Sequence, residues 1–154
     1  NNQIDDEVQK FSRTALTHSS QALQHAGALM SLTGRFSVEE LRTLDLSSRA
    51  KWLALVKQHA LGLRTNIVLL QRELGEALGQ HRTDVFAEPS IEDDAVLIQT
   101  VNRLFTTASA IDQSVRATLS LSNNPGSAAK IKAAQFWRSL AIAEDLASKL
   151  ASIK

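Results

Sequence analysis

The sequence predicts an all-α protein, an elongated antiparallel four-helix bundle of up-down-up-down type, with a short extra helix near 37–45. Three observations carry this prediction. The 154 residues are rich in Leu and Ala, the strongest helix formers, and comparatively poor in the β-branched and aromatic residues that favour strands. Apolar residues recur at spacings of three, four and seven over long stretches, which is the helical period rather than the alternation of a strand. Both prolines, Pro89 and Pro125, fall in breaks between such stretches, FAEPS and SNNPGS. A chain of this length supports one core, burying roughly 68–70% of the surface its unfolded form would expose, so residues 1–154 are read as a single domain.

The first helix, about 4–33, carries Ile4, Val8, Phe11, Ala15, Ala22, Leu29 and Leu32 on one stripe, with Leu16, Leu23 and Met30 widening it and Gly34 ending it. Ser37 and Glu40 then have capping-box spacing: the hydroxyl accepts from an orphan amide while the carboxylate reaches back to the cap, which opens the short helix. Asp45 or Ser47 caps a second long helix, about 47–80, with Leu53, Val56, Ala60, Leu63, Ile67, Leu70, Leu74 and Ala77 on its stripe. Trp52, Leu55, Leu61 and Leu69 add apolar surface beside it.

Ser90 and Asp93 form a second capping-box pair, and Glu92, Asp93 and Asp94 place negative charge where a helix dipole favours it. They start a third helix, about 90–121, striped by Leu97, Val101, Leu104, Ala108, Ile111 and Val115. Ser127 caps the fourth, about 127–151, whose seam reads Ala133, Phe136, Leu140, Ala143, Ala147 and Leu150. Helices near thirty residues are about 45 Å long, and short links between them set sequential neighbours antiparallel.

The same residues limit function. Lys and Arg number 17 against 16 Asp and Glu, dispersed along the chain, so the basic field of a nucleic-acid binder is missing. There is no Cys, which excludes disulfides, thiolate metal sites and a thiol nucleophile. No stretch of about 18 uncharged apolar residues spans a membrane. The opening NNQIDDE, without Met, is expected to follow either a removed leader, which leans the localisation towards periplasmic or secreted, or a cut that isolates one domain of a longer chain. No Gly-x-Ser-x-Gly elbow or Gly-rich phosphate loop occurs, and carboxylate pairs such as Glu39/Glu40 and Asp93/Asp94 are explained by capping.

Histidines are the remaining candidates for chemistry. His18 and His25 lie seven apart, about 10.5 Å along one helix face, too far for easy joint ligation of one ion and at the margin of the apolar stripe. His59 on the second helix is placed to face one of them, and the three imidazoles are the ligand set of an alternative reading with a haem or metal held between helices. His81 reads as a residue of a helix end. Trp137, about 100° round the helix from Phe136, and Trp52 are the expected partner anchors, because Trp is enriched at binding hot spots. Asn66 and Asn102 are expected to pair across the bundle and fix register. The reading is a non-catalytic binding or interaction module with no cofactor, acting through a protein partner or self-association. The alternatives are the histidine-bound cofactor or small apolar ligand, and the sensor domain of a longer receptor.

Overall fold

The computed structural model describes residues 2–78, 90–120 and 133–153, with side chains over 13–73, 90–117 and 136–153. Among these residues there are five helices and no strand: α1 (Asn2–Gly34), α2 (Val38–Thr43), α3 (Leu46–Leu78), α4 (Asp94–Ser120) and α5 (Ala133–Ala151). The four long ones form an all-α bundle. No described helix is long and apolar enough to cross a membrane.

The stripes do what their period requires. Ala15, Ala22, Leu29 and Leu32 of α1, Val56, Ala60, Leu63, Ile67 and Leu70 of α3, the whole α4 stripe, and Phe136, Leu140, Ala143, Ala147 and Leu150 of α5 are buried in one continuous core. A helix whose apolar side chains return every three to four residues has one face to hide, and four such faces hide each other.

Ser37 caps α2 as the sequence implies, its Oγ accepting from the Glu40 amide at 3.1 Å while the Glu40 carboxylate accepts from the Ser37 amide at 3.3 Å. Leu41 of this short helix is fully buried. At α4 the expected box of Ser90 and Asp93 is not used. Asp93 itself is the cap, its carboxylate accepting from the Val96 amide at 2.9 Å, so the helix begins at Asp94 and Ser90 stays outside it. The expected cap Ser127 and the segment to 132, like His81, lie outside the described residues.

Contacts along the rods fix their directions. His18 meets Glu73, His25 meets His59 and Leu32 meets Trp52, so α1 and α3 run antiparallel. Ser19 and Ser20 meet Asp112 and Arg116, while Asp94 at the start of α4 meets Arg49 at the start of α3; α4 is therefore antiparallel to α1 and parallel to α3. The end of α5, at Lys149 and Ser152, lies beside the start of α4. Since α1 and α5 each pack on α3 and α4, the rods alternate up, down, up, down around the square, in the ring order α1, α3, α5, α4. The chain visits them differently. Sequential neighbours are antiparallel for α1 and α3 and for α4 and α5, but α3 and α4 sit on one diagonal and point the same way, so residues 79–93 join opposite ends of the bundle.

This arrangement explains one failed expectation. Asn66 and Asn102 do not pair: helices on a diagonal face each other across a packed centre, Asn102 is exposed, and Asn66 donates instead to the Gly62 carbonyl of its own helix at 2.9 Å.

Candidate functional site

Three places collect polar side chains in a way that secondary structure alone does not require. The first is the seam between α1 and α3. His25 and His59 project from facing positions of antiparallel helices, and their Nδ1 atoms approach to 3.1 Å with ring centroids 5.4 Å apart. One Nδ1 carries a hydrogen and donates; the other accepts, so the rings hold different tautomers. His25 comes close because residue 62 is glycine: a Cβ there would lie 2.6 Å from its Cε1 and Nε2. The residue lacking a side chain on α3 is thus what lets the α1 imidazole lie flat in the seam.

Burial, and secondarily the neighbouring His59, hold the His25 pKa below its ordinary 6.5. The folded state therefore binds fewer protons than the unfolded one as pH falls below 6.5, and folding stability falls with it. The contribution is intact above 6.5 and lost between 6.5 and the lowered folded value. Urea midpoints of the wild type are expected to drop between pH 7.5 and 5.5 more steeply than those of His25→Asn; parallel curves would refute this account.

The third imidazole goes elsewhere. Nε2 of His18 lies 3.3 Å from Oε1 of Glu73, two turns along α1 from His25, while His18 Nδ1 and Glu73 Oε2 are buried without a partner. His18, His25 and His59 do not converge, and among the described residues no three His, Cys, Asp or Glu side chains are placed to hold a metal. A haem iron needs its two axial nitrogens on opposite faces of a macrocycle, whereas His25 and His59 meet in direct contact with no slot between them.

The second place is the end of the bundle where α3 and α4 begin and α5 finishes. The guanidinium of Arg49 grips the Asp94 carboxylate through two bonds, Nη1 to Oδ2 at 3.0 Å and Nη2 to Oδ1 at 2.6 Å, and Nη1 also donates to the Leu41 carbonyl at 3.3 Å. Hydrogen bonding to Asp94 raises the Arg49 pKa above its ordinary value, so the guanidinium stays charged. Beside this clasp lies an open cleft of about 450 Å³ whose wall includes Ile91, Leu97, Lys149, Ser152 and Ile153. Glu92 and Asp93 on its rim are exposed.

A third polar cluster is structural. Buried Asp112 accepts from Ser19 Oγ at 2.8 Å and from Arg116 Nε at 2.7 Å, while Ser20 Oγ donates to Asp112 and accepts from Arg116 Nη2, so the carboxylate oxygens are occupied in holding α1 to α4.

Trp52, expected as a partner anchor, is corrected by its position. It is 5% exposed, its Nε1 donates to the Leu32 carbonyl at 3.0 Å, and the Phe36 ring meets it edge to face, so it is a core residue. Trp137 is half-buried, packed against the core from α5. The clasp, the cleft, the Asp112 cluster and Glu73 were missed in the sequence. A faint signal existed for one: Asp112 falls four residues after Ala108 and three before Val115, on the buried stripe, where a carboxylate requires partners.

Comparison with known family models, with curated proteins and with solved structures finds no match to the chain.

Proposed function

We propose that the chain is a non-catalytic binding module that docks a protein partner in the cleft formed by the start of α4 and the end of α5. The observation that supports it is the cleft itself: a concave surface of about 450 Å³ that joins the apolar Ile91, Leu97 and Ile153 to an exposed acidic rim of Glu92 and Asp93. Concavity with a few convergent polar groups is the usual form of a binding site. The two basic groups of its wall are already engaged, Arg49 by Asp94 and Lys149 by Asp145, which leaves the cleft acidic in character. Its complement is a segment presenting an apolar side chain flanked by Lys or Arg.

Selection of peptides from a displayed library against the purified protein tests the reading. Apolar-basic sequences are expected to be enriched. Ile153→Arg, which introduces a like charge and bulk into the cleft, is expected to weaken their binding at least about tenfold, roughly the 1.4 kcal/mol that one lost contact costs. Leu61→Arg, on an exposed position of α3, is expected to leave it unchanged. Enrichment of nothing, or equal binding by both variants, overturns the proposal.

A further inference from the structure

We propose that His25 and His59 form a two-histidine site for a divalent transition-metal ion that staples α1 to α3, independently of the cleft. The pair lies across two helices that are far apart in sequence, and each ring turns its Nδ1 towards the other. With metal–nitrogen bonds of about 2.05 Å, nitrogens 3.1 Å apart subtend about 98° at a bound ion, between the octahedral 90° and the tetrahedral angle of about 109°. The present contact is a head-on hydrogen bond, so binding requires each ring to tilt until both lone pairs meet off the N···N line. Both rings then carry their hydrogen on Nε2, and the shared hydrogen leaves the seam by tautomer exchange rather than by loss of charge.

Three features support a metal at this place. Both histidines are half-buried, so solvent reaches the pair and water completes a coordination sphere to which the described residues add no third ligand. The two Nδ1 atoms already lie 3.1 Å apart across the seam, so the ligand pair is largely preformed. Gly62 leaves the space in which the His25 ring pivots. Imidazole nitrogens select Zn²⁺, Ni²⁺ and Cu²⁺ over the oxygen-seeking Mg²⁺ and Ca²⁺.

The test is thermal unfolding of the whole chain with ZnCl₂ or NiCl₂ alone, MgCl₂ being the control. Ten-fold more Zn²⁺ than its dissociation constant is expected to raise Tm by roughly 3–6 °C. His25→Asn and His59→Asn are expected to abolish the shift, and His18→Asn to keep it. Gly62→Ala, which leaves both ligands but obstructs the His25 ring, is expected to reduce it. Should either Asn variant fail to fold, Ni²⁺ broadening of the wild-type imidazole resonances decides: selective loss of the His25 and His59 signals supports the site. No shift at millimolar Zn²⁺, a shift surviving in His25→Asn or lost in His18→Asn, or broadening centred on His18, overturns it.

Discussion

Trp52→Ala is expected to lower the unfolding free energy by about 3–5 kcal/mol, the usual range for deleting a buried tryptophan, out of a total of about 5–15 kcal/mol for a domain of this kind. The indole fills the junction of α1, α3 and the turn before α2, with Phe36 against its edge at 6.4 Å between ring centroids. Its Nε1 donates to the Leu32 carbonyl, one of the last carbonyls of α1, which has no partner inside its own helix. Alanine removes the filling and orphans that carbonyl together. Trp52→Phe separates the two effects: most of the packing survives and the hydrogen bond does not, for an expected loss of about 1–2 kcal/mol. Urea denaturation followed by circular dichroism gives both numbers. A Trp52→Ala loss below about 1 kcal/mol would show that the indole is not part of the core that the other stripes build.

Trp52 also marks the boundary of what the sequence could reveal. Along each rod the core was legible, because burial of an amphipathic helix depends on a period that local sequence carries. Val101, Leu104, Ala108 and Ile111 could be assigned to the inside without knowing what they touch. Trp52 lies one turn before Val56 on the buried face of α3, whereas Leu53, assigned to the stripe, is only half-buried; what local sequence does not show is that the end of α1 folds over the indole and takes its hydrogen bond. The same holds for direction. Helices read at about 47–80 and 90–121 leave a short link, which predicts antiparallel neighbours, whereas α3 (to Leu78) and α4 (from Asp94) run parallel on a diagonal, a placement with no local signature.

The candidate sites divide the same way. Seven-residue spacing placed His18 and His25 at the stripe margin, and His59 was expected to face one of them; the structure selects His25. The selection rests on Gly62, whose missing side chain matters only once α1 lies against it. Asp94 read as a helix-start carboxylate, which it is, but its partner Arg49 lies 45 residues away on another helix. Polar contacts at such separations follow from the packing and do not precede it.

Arg49→Ala is the second large loss expected, about 2–3 kcal/mol. That is less than the 3–5 kcal/mol of a fully buried pair, because the Arg49 side chain is 31% exposed and water screens part of the interaction. What makes it large for an ion pair near the surface is Asp94, whose side chain is only 10% exposed and is left without its fork of donors. The clasp also does work that the connection between its helices does not. Since residues 79–93 leave α3 at the far end, the starts of α3 and α4 are tied here by Arg49 alone among the described hydrogen bonds, which also reaches the Leu41 carbonyl of α2. Arg49→Lys keeps the charge but cannot form the two-pronged grip, and is expected to recover less than half of the loss. The double variant Arg49→Ala/Asp94→Ala is expected to be more stable than the two single losses summed would allow, by about 1–3 kcal/mol of coupling, because removing both partners leaves no stranded charge. Additive losses would mean that each residue acts through its own packing. Coupling near zero with both single losses under about 0.5 kcal/mol would place the pair among ordinary surface contacts, and the cleft beside it would then lack the rigid wall that its binding role requires.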